Sequence, residues 1–202
     1  MHMRKIILIF LLIYQSSIGQ IFLKEVEANK LKTNIINSSL NTKNIISDFI
    51  QYKHLSFLEK DIISRGKLVY IEPNYIKWDY NYPFNYECIF EKEKLTINNE
   101  GNINQIDISS NELFKELNKI IANTLKGDMF DKEKFNIEYY DNSTNYYIRF
   151  IVKDTSLIKY FSAFELSFDK NNYGVLEIKI LEDENDYTKI VLYNKIINND
   201  IN

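Results

Sequence analysis

The chain has 202 residues, of which 45% are hydrophobic and 14% aromatic, with 15 Tyr and 13 Phe, enough apolar material for a sizeable core and weighted toward strand-favouring residues. A formal net charge of −3 leaves no basic footprint for nucleic acid. A lone cysteine, Cys88, excludes an intramolecular disulfide and a cysteine-based metal centre.

The first nineteen residues read as a secretory signal peptide. Arg4 and Lys5 precede an apolar run from Ile6 to Tyr14, and Ser17-Ile18-Gly19 puts small residues at the cleavage-determining positions before Gln20. The run is short of the ~20 residues that a membrane-crossing helix needs. Residues 1–19 are therefore assigned to the leader and 20–202 to a single mature domain. Gln20 stands where a lipidated protein would carry its cysteine.

Along the mature chain, Phe22 to Ser38 is predicted helical, with Ala28, Leu31 and Ile35 on one face, Glu25 and Glu27 early, and Asn41 as the break. Ile45, Ser47, Phe49 and Gln51 alternate with Ile46, Asp48, Ile50 and Tyr52 along a first strand. From Lys60 to Asn81, two strands fold back on each other: Leu68 and Tyr70 alternate with Lys67 and Val69, and Ile76, Trp78 and Tyr80 with Lys77 and Asp79. Glu72-Pro73-Asn74 is the turn between them, because proline cannot donate within a ladder and Asn tolerates tight backbone.

Short runs at 85–90, 94–98 and 103–108 follow, with Glu100-Gly101-Asn102 as the clearest hairpin turn, and argue for an antiparallel meander. Ser109-x-x-Glu112 is a capping box opening a helix in which Leu113, Phe114, Leu117, Ile120, Ile121 and Leu125 recur at helical spacing and Gly127 is the stop. Strands are then expected at 134–140, 145–153, 161–169, 174–181 and 187–194, about eleven in all, and the tail from Ile196 to Asn202 is expected to fray.

The stretch Phe49-Ile50-Gln51, Gly66-Lys67-Leu68, Pro73-Asn74, Trp78 and Pro83 resembles, in order and spacing, the signature of the periplasmic outer-membrane lipoprotein carrier (LolA) family. The resemblance extends from about Lys24 to Asn194. It implies a mainly β fold with α: an unclosed antiparallel half-barrel whose apolar concave face is covered by an N-terminal helix and a lid helix. It further implies a chaperone, not an enzyme, that carries acylated lipoproteins from an inner-membrane lipoprotein-releasing ABC transporter to an outer-membrane acceptor, acting as a monomer and without a cofactor or metal.

On the same basis Phe49, Leu68, Tyr70, Ile76, Trp78 and Tyr80 are the acyl-binding positions, and Leu113, Phe114, Leu117, Ile120 and Ile121 the lid. Members of the family place an Arg before the turn proline to latch the lid; this chain has Glu72, and Arg65 on the same hairpin is the candidate latch.

The residues alone leave other readings open. A related carrier could bind another lipid, a glycolipid or a pigment precursor, and an aromatic-rich module could stack Trp78 and its tyrosines on sugars. Catalytic chemistry is thin: His54 is the sole histidine after the leader, and nothing in the sequence brings it to Cys88. Glu182-Asp183-Glu184-Asn185-Asp186 lacks the glycine and closing glutamate of a calcium loop and reads as a solvated hairpin turn.

Overall fold

A computed structural model describes residues 21–108, 129–155, 157–182 and 185–198. The chain opens with a two-residue strand β1 (Ile21–Phe22) and the helix α1 (Glu25–Leu40). Strands β2 (Asn44–His54), β3 (Ile62–Ile71), β4 (Tyr75–Tyr82), β5 (Tyr86–Glu91), β6 (Lys94–Asn99) and β7 (Asn102–Asp107) follow as a meander. After the undescribed stretch come β8 (Phe135–Asp141), β9 (Asn145–Val152), β10 (Ala163–Asp169), β11 (Val175–Leu181) and β12 (Tyr187–Ile197).

All twelve strands belong to one sheet, in the order β1-β8-β9-β10-β11-β12-β2-β3-β4-β5-β6-β7. Every neighbouring pair is antiparallel, and β1 and β7 remain as edges, so the half-barrel is unclosed. The two meanders join through β12 and β2, from Tyr187 opposite His54 to Ile197 opposite Ile45.

The inner face carries the core because alternate residues of each strand are apolar. Phe49, Leu68, Tyr70, Ile76 and Trp78 from β2–β4 form one cluster with Phe150, Phe164 and Leu166 from β9 and β10 and with Leu31 and Ile35 of α1. Helix α1 starts where the Lys24 backbone N–H donates to Glu27 Oε2 at 3.2 Å, and Ala28, Leu31 and Ile35 are its buried stripe. Leu23 N–H donates to the Tyr139 carbonyl, Asn34 Nδ2 to the Tyr173 hydroxyl, and the Ser38 hydroxyl to the Asn172 carbonyl, which lays the helix across the inner face on the β8–β12 side.

Two expectations need adjustment. Phe22 does not start the helix: it pairs with Tyr140 as part of β1, the twelfth strand, which shields one end of the β8 edge. The tail is pinned as far as Asn198, because β12 resumes after an irregularity and sets Ile196 and Ile197 against Ile46 and Ile45. Asn198 then donates its backbone N–H to Asn44 and its Nδ2 to the Asn41 carbonyl. Phe84 sits in the β4–β5 turn and is 75% exposed. The capping box at Ser109 and the predicted lid residues Leu113, Phe114, Leu117, Ile120 and Ile121 lie outside the described residues, as does the leader.

Candidate functional site

The site is built around Gly66. It stands opposite Phe49 on β2 and Tyr80 on β4. A Cβ at this position would lie 2.0 Å from the Asp79 carbonyl oxygen and 2.9 Å from Phe49 Cε1, so only glycine lets β4 approach so closely while an aromatic ring lies over the backbone. Phe49 fills the notch and meets the rings of Trp78 and Tyr80 edge-on, each at a centroid distance of 5.0 Å. The phenylalanine, glycine and tryptophan of the sequence signature are thus one packing unit.

Leu68, Tyr70 and Ile76 extend this unit along the inner face. Phe49 and Leu68 are 0% exposed, Tyr70 and Ile76 1%, and Trp78 4%, so these five form a closed floor. Burial, with a smaller push from Glu72, raises the Tyr70 phenol to about 12.

Beyond the floor, toward the ends where β4 stops and β5 starts, the same face becomes polar without becoming charged. Tyr80 is half-buried, stacks on Tyr86 at 4.3 Å with an interplanar angle of 9°, and donates its hydroxyl to Gln51 Oε1 at 3.0 Å. Gln51 stands opposite the buried Ser64, and Cys88, half-buried, is opposite Trp78. Burial pushes the Tyr80 and Tyr86 phenols and the Cys88 thiol above their ordinary values, so each is neutral near pH 7. Two residues past Gln51, Lys53 pairs with Glu182, whose other oxygen accepts from the Thr188 hydroxyl at 2.9 Å.

At the opposite margin of the sheet an open cleft of about 490 Å³ runs between α1 and β8. Leu23, Ala28, Phe135, Ile137 and Tyr139 supply its apolar lining. The inner face is therefore closed in its middle and accessible at both sides.

The outer face is charged. Lys67 bridges to Asp48 at 2.8 Å, Lys77 pairs with Glu87, and Arg149 approaches Glu165. Arg65, the candidate latch, is exposed on this outer side of β3, its guanidinium 5.2 Å over the Tyr82 ring. His54 is also on the outer face, bonded to Asp61 at 2.8 Å and stacked on Tyr187, whereas Cys88 is inner, so the sheet separates them. The acidic run closes a hairpin: Glu182 N–H donates to the Asp186 carbonyl, and Asp186 Oδ1 accepts from Ser56 N–H at 2.7 Å. Among the described residues no three His, Cys, Asp or Glu side chains converge as a metal site would require.

The six predicted positions Phe49, Leu68, Tyr70, Ile76, Trp78 and Tyr80 do share one contiguous surface. Gln51 was visible only as part of a motif; its bond to Tyr80 spans 29 residues of sequence. Tyr86 and Cys88 join the surface through the β4–β5 register, which no local pattern specifies.

Comparison with known proteins agrees with this architecture. The family model of the outer membrane lipoprotein carrier protein LolA matches residues 40–201. No curated protein sequence matches. Among solved structures, the crystal structure of MucB is similar with a TM-score of 0.52 and 10% identity, over 88% of this chain and 61% of that one. The Pseudomonas aeruginosa MucA/MucB complex gives 0.50 and 9%, over 87% and 59%. This chain thus spans under two thirds of those MucB chains. A LolA superfamily protein from Nitrosomonas europaea aligns over 85% of this chain and 94% of its own, with 6% identity and a TM-score of 0.42. With the carrier model matched from before β2 to the end of β12, on an unclosed half-barrel with an apolar inner face, the chain belongs to the LolA family of non-catalytic outer membrane lipoprotein carrier proteins.

Proposed function

We propose that the protein is an exported periplasmic chaperone that shields the acyl chains of lipoproteins on its inner face and carries them from the inner to the outer membrane. The observation that carries this reading is the inner face itself: a closed apolar floor with an accessible margin on either side, one of them a cleft with an apolar lining, in a chain of the carrier family. Cargo arrives from an inner-membrane lipoprotein-releasing ABC transporter and leaves to an outer-membrane acceptor, with the protein acting as a monomer. Leu113, Phe114, Leu117, Ile120 and Ile121 cover the bound chains. Residues 1–19 direct export and are removed after Gly19, which the intact mass of the exported protein tests.

The energetics fit a carrier that depends on a donor. Removing an acyl chain from water is worth about 0.8 kcal/mol per methylene, so roughly a dozen methylenes gain on the order of 10 kcal/mol. A bilayer offers nearly the same. The protein can hold cargo against water but needs an energised partner to take it from a membrane.

Cys88 supplies a direct test, because its half-buried thiol lies beside the floor. Acyl lipid retained in native mass spectrometry, together with slower alkylation of Cys88 when an acyl probe is added, is the expected result. A protein that retains no lipid, and whose Cys88 reacts at one rate with or without the probe, overturns the reading.

A further inference from the structure

Along the inner face of β2 the side chains change character in steps. Phe49 belongs to the apolar floor, Gln51 to a neutral polar set with Ser64, Tyr80 and Tyr86, and Lys53 to an ion pair with Glu182. The spacing of two keeps all three on one side of the strand. Bilayer lipids have the same sequence of polarity, from hydrocarbon through uncharged carbonyl linkages to the head group.

The middle step has spare donors. Gln51 uses its carboxamide oxygen to accept from Tyr80, and its Nε2 makes no hydrogen bond among the described residues. The Ser64 hydroxyl likewise makes none there. Neither group is a fully buried orphan, but an apolar chain laid over them would cut both off from water, and a carbonyl oxygen on that chain would satisfy either. Charge points the same way. Burial keeps Tyr80, Tyr86 and Cys88 protonated, and the Lys53 ammonium, the cation on this side of β2, is already paired with Glu182.

We propose that Gln51, Ser64, Tyr80 and Tyr86 form a subsite for the uncharged carbonyl of an acyl ester or amide, with the hydrocarbon chain on the Phe49–Trp78 floor and the head directed past Lys53 and Glu182. This deepens the carrier reading and rests on it. Tyr80 holds the Gln51 carboxamide in orientation, and Gln51 and Ser64 donate. The subsite selects acylated molecules over alkyl chains of equal length.

Two ligands with the same chain and the same glycerol head isolate the carbonyl: 1-palmitoyl-glycerol, an ester, and 1-O-hexadecyl-glycerol, an ether. Displacement of a fluorescent fatty-acid probe from the full mature protein gives both affinities. The expected result is a roughly tenfold preference for the ester, the worth of one well-made hydrogen bond. Gln51→Leu should bring the ratio near one by weakening ester binding while ether binding stays level, and Ser64→Ala should reduce it in part. Equal affinities in the unaltered protein overturn the subsite and leave the carrier reading standing, as does a preference that survives Gln51→Leu. If neither lipid displaces the probe, both readings fall. Should Gln51→Leu not fold, the ester-to-ether ratio of the unaltered protein and of Ser64→Ala still decides.

Discussion

Two aromatic clusters on the same sheet use similar ring geometry to opposite ends. On the β8–β10 side, Phe150 stacks on Phe164 at 4.5 Å, Phe135 meets both edge-on, and all three are buried. On the β2–β5 side, Tyr80 stacks on Tyr86 at 4.3 Å, but both rings are half-buried and one hydroxyl is spent on Gln51. A phenylalanine stack has nothing to gain from solvent and closes into core. A tyrosine stack offers ring faces to an apolar chain and oxygens to a polar group, which lets it stand at a margin.

The largest effect should come from the notch that both halves of the tyrosine side depend on. Gly66→Ala would push a methyl group into the Asp79 carbonyl, which is backbone and cannot swing aside. The β3–β4 ladder must part, with a loss on the order of 3 kcal/mol or more, read as a large drop in Tm. A Tm within a degree or two of the parent would mean that the two strands do not approach as described.

Comparable in size, Phe164→Ala should cost about 3–5 kcal/mol through lost burial and a residual cavity. The molecules that remain folded should keep their affinity for an acyl probe. Loss of affinity without loss of stability would move the binding surface to the phenylalanine side. Ile76→Glu belongs to the same class, since Ile76 lies in the floor. Burying a carboxylate there should cost several kcal/mol and lower Tm, whereas a near-normal Tm would show that the floor opens to water.

Tyr80→Phe is a smaller change. It removes one hydroxyl and frees Gln51 Oε1, so the stability loss should be near 1 kcal/mol by chemical denaturation. Phe164→Tyr, by contrast, places a hydroxyl in the buried stack and should cost more. Equal losses for the two would erase the distinction between the clusters.

The smallest effect separates the two faces by pH. On the outer face, the Lys67 hydrogen bond, helped by Asn194, holds Asp48 below its ordinary value, and the Lys77 bond, helped by Asn98, does the same for Glu87. At the β10–β11 turn the backbone N–H groups of Asn171 and Asn172 lower Asp169. A carboxylate with a depressed folded-state value contributes stability above its unfolded value, near 4, and loses it as pH falls through the folded value. Stability should therefore be level above about pH 5 and fall below about pH 4, modestly and with salt sensitivity because these groups are solvent-exposed. Acyl binding should stay flat from about pH 5 to 8, since burial raises the phenols and the thiol of the inner face above their ordinary values and keeps them protonated over that range. A binding curve that bends within that window would place a titrating group in the site.

Strand periodicity, turn chemistry and the Ala28-Leu31-Ile35 stripe were legible because they depend on neighbours two to four residues apart. The alternation at Leu68, Tyr70, Ile76 and Trp78 by itself determined which side chains share the inner face, and Glu100-Gly101, both at positive φ, determined the β6–β7 hairpin. Four further outcomes required the folded chain. Phe22 became a strand because the β8 edge was there to pair with, and Ile196 and Ile197 were held because Ile45 and Ile46 lay opposite. The partnership of Gln51 with Tyr80, and the choice between closed floor and open margin, were decided by register between distant strands and by where α1 lies. Local sequence sets the conformation of a segment and the face a side chain takes. Which polar groups meet, and which rings remain accessible, depends on contacts between segments far apart in the chain, and only tertiary packing fixes those.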